Sequence, residues 1–197
     1  MKLLRINTVN KPSHNMVRHL EEHLTRVRIE NWYNHDLFTY QWWLLAVVLV
    51  IPWLIWWKLV DKKRLLEIIV VGAAALIISS YLDAVLSEFG LWSYNFEIVP
   101  VWPRLISADF TALPIMYMLI YQYCPRWKSY CRALILSAAA WSFICEPVLE
   151  WLGIYHPYAW KHYYSFPIYI AIGLLIKALV QFLLNHQVRC TEGQSKD

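Results

Sequence analysis

The sequence predicts an all-α fold, an integral membrane bundle of five transmembrane helices with an N-terminal amphipathic helix, and three observations predict it. Hydrophobic residues fill 59% of the 197 positions and charged residues only 16%, proportions that do not suit a soluble domain of this size. Several charge-poor runs reach the roughly 20 residues needed to cross about 30 Å of hydrocarbon, and they follow one another with short polar breaks. The 12 tryptophans gather largely at the ends of those runs, as in the aromatic belts of helices fitted to a bilayer.

Residues 1–39 read as a polar N-terminal segment. Within it Val17, Leu20, Leu24 and Val27 recur at helical spacing, with Arg18, Glu21, Glu22, Arg26 and Arg28 around the rest of the wheel. This predicts an amphipathic helix that lies on a membrane surface or packs on a partner. His19 and His23 stand four residues apart, a spacing that suits a solvated polar face better than a metal site. Residues 40–186 hold the five spans: about 40–60, flanked by Trp42, Trp43, Trp56 and Trp57, then about 65–90, 104–124, 132–153 and 165–186. Residues 187–197 form a tail. No internal repeat is evident, and the four cysteines have no metal-ligand spacing, so free thiols are expected.

The formal charge of +4 does not mark a nucleic-acid partner, because the basic residues sit in the breaks and not along a stripe. Lys58, Lys62, Lys63 and Arg64 follow the first run, and Arg126, Lys128 and Arg132 follow the third. By the positive-inside rule these breaks and the tail are cytoplasmic, which places the N-terminal segment outside a bacterial plasma membrane. The basic residues of that segment, Lys2, Arg5, Lys11, Arg18, Arg26 and Arg28, pull the other way; the short breaks are given the greater weight.

Converting sequence position to depth at about 1.5 Å per residue puts Asp83, Asp109 and Glu146 some 8 to 10 Å below the outer edge, on three different helices. Acids in hydrocarbon are costly, so they are expected to face the bundle interior. Ser80, Asp83 and Ser87 share one helix face, as do Ser142, Glu146, Glu150 and Gly153. Glu88 and Glu150 are expected at the rim, where His156, Trp151 and Trp160 also fall. Pro114 and Pro147 interrupt their helices near the same depth, where a helix-interior proline leaves the carbonyl four residues earlier without its usual donor. Lys177, well inside the fifth run, is within reach of Glu146, and a buried pair is expected. The candidate ligand-binding set is therefore Asp83, Glu88, Asp109, Glu146, Glu150, Trp151, His156, Trp160 and Lys177.

These residues imply an outward-facing polar and aromatic pocket that binds a small or lipid-like ligand. Alternatives are a membrane-embedded isomerase or cyclase acting on an isoprenoid lipid, with Trp92, Trp141, Trp151 and Trp160 facing a carbocation, ion translocation, and a polar network that only fixes helix packing. An oxygen-ligand metal site from Asp83, Asp109 and Glu146, joined by His156 and His162, lacks a specific spacing. No nucleophile triad, phosphate loop or metalloprotease signature occurs, and no cofactor is expected. Membrane lipid is the expected partner.

The order Asp83, Gly90-Leu91-Trp92-Ser93-Tyr94, Pro103, Asp109, Glu146, Glu150-Trp151, Trp160 and Tyr164-Ser165 resembles a family of small, tryptophan-rich, multi-pass membrane proteins of endospore-forming Firmicutes. The resemblance spans roughly residues 40–185. That family is functionally uncharacterised, so the resemblance implies a fold and a membrane location and no catalytic residues. A fainter similarity is to small bacterial lycopene cyclase domains, which have adjacent acids after a proline. Here Glu146-Pro147 is followed by Glu150 a turn later, and their catalytic residues do not carry over.

Overall fold

A computed structural model describes residues 13–100 and 105–194, with side chains described to Gln187. Helix α1 covers His14–Asn31 and α2 Tyr40–Leu59. A single 3-10 turn, Lys62–Arg64, leads into α3, Leu65–Glu88. Strand β1 is Trp92–Tyr94, and a π-helical turn, Ala108–Ala112, opens α4, Leu113–Tyr123. Helix α5, Trp127–Ala140, runs through a second π-helical turn, Trp141–Cys145, into α6, Glu146–Trp151. Strand β2 is Tyr155–Pro157, and α7 is His162–Gln194.

The fold is a membrane-embedded helical bundle. Among the described residues four helical stretches are long and apolar enough to cross a membrane: Tyr40–Leu59, Lys62–Glu88, Trp127–Trp151 and His162–Gln187. The fifth expected span is missing from that group for a physical reason. Helix α4 is the centre of the bundle, with Leu113, Tyr117, Met118 and Tyr121 buried against Ile68, Val71 and Ala75 of α3 and Ile172, Ile176 and Val180 of α7. A helix wrapped in protein does not need a lipid-soluble surface, so α4 and the π turn that opens it carry Asp109, Thr111, Pro114, Tyr117 and Tyr121 buried away from lipid.

Cross-chain hydrogen bonds fix the directions. The Ser107 hydroxyl donates to Leu45 O at 2.9 Å and Thr111 to Leu49 O at 3.0 Å, while Asp61 N donates to the Gln122 side chain at 3.0 Å, so α2 and α4 run parallel. Ser79 meets Asp109 and Glu67 meets Tyr121, so α3 runs against them. Tyr130 donates to Gly173 O at 2.7 Å and Trp127 to Gln181 at 3.0 Å, which sets α5 against α7. The described chain thus runs back and forth between a sheet end and an opposite end. Hydroxyl-to-carbonyl bonds of this kind join helices where the hydrophobic effect cannot.

Close approach matters at Gly173. A Cβ there would lie 2.5 Å from Leu134 Cδ1 and 3.0 Å from Tyr117 Cε1, both fixed in the core. At Gly72 the obstruction is Met118 Sδ at 2.6 Å, the end of a flexible thioether. Gly173→Ala is therefore expected to cost about 1 to 3 kcal/mol and Gly72→Ala clearly less, read as the shift in thermal midpoint of the protein in membrane discs. Equal shifts would show that the Leu134 and Tyr117 side chains yield as easily as Met118.

Two helices that end at the sheet end do so in the same way. Gly90 (φ 71°) and Gly153 (φ 73°) take the left-handed conformation that closes a helix, with Leu91 N donating to Leu86 O at 3.3 Å and Ile154 N to Leu149 O at 3.0 Å. Each glycine leads into a three-residue strand, and the strands pair antiparallel, Trp92 opposite Pro157 and Tyr94 opposite Tyr155. An acid lies seven positions before each glycine, Asp83 and Glu146, and a serine eleven before, Ser79 and Ser142. This short internal correspondence, not evident by inspection of the sequence, places both acids two helical turns below one small sheet.

Helix α1 forms as expected. Ser13 caps it by accepting from Met16 N at 3.3 Å, and Arg18 pairs with Glu22 at 3.1 Å. Val17, Leu20, Leu24 and Val27 are all exposed. The segment after it is held to the sheet end by the Trp32 indole N–H on Glu97 O at 3.0 Å and by Trp42 on Ile98 O at 3.1 Å. Cys124, Cys131 and Cys145 are free thiols.

Candidate functional site

The site sits just below the two-stranded sheet, and the helix ends set it out. Asp83 of α3 and Glu146 of α6 stand at matched positions below the two glycine caps. Asp109 comes from the π-helical turn that opens α4. Both π turns precede a proline, Pro114 and Pro147: the Leu113 N–H reaches back to Ala108 O and the Glu146 N–H to Trp141 O, one residue further than in an α-helix. The wider turn makes room for the proline ring and aims an acid off the regular helical face. The three acids line one cavity of about 100 Å³, whose wall includes Trp92, Trp141, Trp160, Leu149, Ile168 and Ile172.

Their hydrogen bonding differs. Asp83 Oδ1 accepts from the Trp92 indole N–H at 3.0 Å and from the Tyr94 hydroxyl at 2.5 Å, so the acid anchors β1 to α3. Burial, and then the nearby Asp83 and Asp109 carboxyls, push the Tyr94 phenol well above its ordinary pKa, which keeps it a donor. Burial, followed by the charge of Glu146, likewise raises the Tyr155 phenol. Glu146 accepts from the Tyr169 hydroxyl at 2.9 Å on one oxygen and meets His162 Nδ1 at 3.0 Å on the other. His162 Nε2 in turn meets Glu150 Oε2 at 2.8 Å. A histidine donates to carboxylates on both sides only with a proton on each nitrogen. Tyr169, Glu146, His162 and the exposed Glu150 thus make a hydrogen-bonded chain from the cavity to the surface.

Asp109 is the exception. It is 5% exposed, and its Oδ2 has no hydrogen-bond partner. Among the described residues four buried side-chain atoms lack one, and of these only Asp109 Oδ2 belongs to a cavity-lining residue. The aromatic wall is tightly knit: Trp92 meets Trp160 edge-on at 5.1 Å, and Tyr94 meets Tyr155 at 5.8 Å. Trp160 is held in turn by its N–H on Ser165 Oγ at 2.9 Å.

Of the residues singled out from sequence, Asp83, Asp109, Glu146 and Trp160 come together here. Glu150 joins at the rim through His162. Glu88 is exposed at the end of α3, outside the lining, and Trp151 is 83% exposed. His156 is exposed on β2, edge-on to Tyr158 at 4.9 Å.

The expected Glu146–Lys177 pair does not form. Lys177 lies two helical turns beyond Tyr169 and donates to the carbonyls of Cys124 and Pro125 where α4 ends, at 3.2 and 3.0 Å. A helix C-terminus with free carbonyls holds an ammonium that would otherwise have to reach across the bundle. Glu146 finds Tyr169 and His162 instead.

Tyr94, Tyr155, Ser165 and Tyr169 were not anticipated. Ser165 and Tyr169 carried a signal, since they share a helix face with Ile172 and Ile176. Tyr94 and Tyr155 reach the site through strand pairing between distant segments, which leaves no local pattern. Among the described residues no three His, Cys, Asp or Glu side chains are grouped as metal ligands would be. Neither a family model, nor a curated protein, nor a solved structure matches the chain.

Proposed function

We propose that this protein is a multi-pass protein of a bacterial plasma membrane whose sheet-end cavity binds the hydrogen-bond-donating head of a small or lipid-like molecule. The observation that carries the reading is the unpartnered Asp109 Oδ2 in an aromatic-lined cavity. A buried acceptor without a donor costs about 1 to 3 kcal/mol, and a ligand amine or hydroxyl removes that cost. A cavity of about 100 Å³ is smaller than the roughly 150 Å³ that admits benzene, so it takes a head group while the rest of the molecule extends outward. The faces of Trp92 and Trp160 add attraction for an ammonium.

Orientation follows from charge. Lys58, Lys62, Lys63, Arg64, Arg126, Lys128 and Arg132 gather at the end opposite the sheet, which supports a cytoplasmic location for that end and an outward-facing site. The exposed apolar stripe of α1 then suits the outer membrane interface.

A second reading draws support from Asp83 and Glu146, which are already hydrogen-bonded: the acids then serve only to lock helices together. Titration separates the two. The purified protein in membrane discs is titrated with a linear primary amine, the alcohol and the alkane of equal chain length, while tryptophan fluorescence is recorded. Saturable change with the amine and the alcohol, absent with the alkane and lost in Asp109→Leu, is the expected result. An identical response to all three that Asp109→Leu leaves unaltered would favour the packing role.

A further inference from the structure

The end of the bundle opposite the sheet holds a second cavity, about 420 Å³, lined by Arg64, Glu67, Tyr121, Lys177, Gln181 and Asn185 among others. Arg64 and Glu67 form a two-pronged pair, Nε to Oε2 at 2.9 Å and Nη2 to Oε1 at 3.0 Å, and the Tyr121 hydroxyl also donates to Glu67. Those two charges cancel. Lys177 is 1% exposed; it donates to Cys124 O and Pro125 O and lies 4.1 Å from the centre of the Tyr130 ring. Carbonyls and a ring face stabilise an ammonium without neutralising it, and among the described residues no carboxylate lies within 4.0 Å of its nitrogen. The cavity therefore has one positive charge in excess.

Donors remain as well as charge. An ammonium has three hydrogens and a guanidinium five, so two carbonyls and one carboxylate leave both Lys177 and Arg64 with N–H groups to spare. Gln181 and Asn185 bring amides to the same wall. An apolar groove of about 290 Å³ adjoins, sharing Arg64, Glu67 and Leu184 with the cavity and continuing along Val70, Val180 and Leu183 between α3 and α7.

We propose that the two together form a binding site for an anionic phospholipid, with the phosphate against Lys177 and Arg64 and an acyl chain in the groove. A free anion would fill the charged part alone and leave the groove unexplained. The adjoining groove runs along membrane-spanning helices, where an acyl chain is at hand.

The test is native mass spectrometry of the full chain released from discs of equal parts phosphatidylglycerol and phosphatidylcholine. Wild-type protein is expected to retain phosphatidylglycerol about tenfold over phosphatidylcholine, whose phosphate is equally anionic but whose trimethylammonium group cancels the net charge and is repelled by the excess positive charge of the cavity. Lys177→Met removes that preference. Because Lys177 is a core side chain, Leu184→Trp serves as a second variant: it fills the junction of cavity and groove, leaves every charge in place, and is expected to reduce phosphatidylglycerol retention as well. Equal retention of the two lipids by the wild type overturns the proposal. So does phosphatidylglycerol retention that neither variant lowers, or complete competition by inorganic phosphate with retention unaffected in Leu184→Trp, which would mark a site for the free anion.

Discussion

Glu146→Leu is expected to lower the stability of the bundle by about 3 kcal/mol, because it removes one partner from a buried polar cluster and leaves the others behind. Tyr169 and His162 both lose their acceptor, and both sit where α7 packs against the α5–α6 passage. The loss also loosens the first turn of α7 on α6, since His162 opens that helix and one of its two bonds to α6 is gone. His162 is then held only by the exposed Glu150. Glu146→Gln is expected to cost less, since the amide oxygen still accepts from Tyr169. Loss of helical signal on titration with denaturing detergent gives the free energies of both variants. A change within about 0.5 kcal/mol of wild type for Glu146→Leu, the range of an ordinary surface substitution, would show that the cluster is not a structural anchor.

Asp109→Leu is expected to act in the opposite direction. The two side chains are similar in size, and leucine removes an acceptor that has no donor, so stability should rise by about 1 to 3 kcal/mol. Ligand binding should be lost in the same variant. Gain of stability with loss of function is the behaviour of a site residue kept at a folding cost. A destabilisation as large as that of Glu146→Leu would mean that Asp109 is a packed member of the polar network. The contrast between two acids in one cavity is more informative than either result alone, because it does not depend on the absolute stability of the protein.

Much of this was legible in the sequence. Long hydrophobic runs mark α2, α3, the α5–α6 passage and α7, because lipid demands an apolar surface whatever the fold inside. Depth counting put Asp83, Asp109 and Glu146 at one level, and the three line one cavity, since the rise of a helix is nearly constant and even a π turn adds only one residue. Two kinds of feature were not legible. Helix α4 is defined by its neighbours and not by lipid, so its own composition understates its role. Strands of three residues carry no periodicity, and the approach of Trp92, Tyr94 and Tyr155 to the acids depends on pairing across some sixty residues. The Lys177 error has a related cause: depth limits where a side chain can reach but does not say which acceptors are free there, and the carbonyls at the end of α4 were nearer to hand.

The most direct measurement of the central claim is mass spectrometry of what accompanies the protein when it is extracted with its native membrane, comparing wild type with a folded Asp109→Leu. A ligand site predicts a molecule bearing an amine or hydroxyl head, enriched over the surrounding lipid in the wild type and absent from Asp109→Leu. The same lipid complement in both, with nothing enriched, would contradict it.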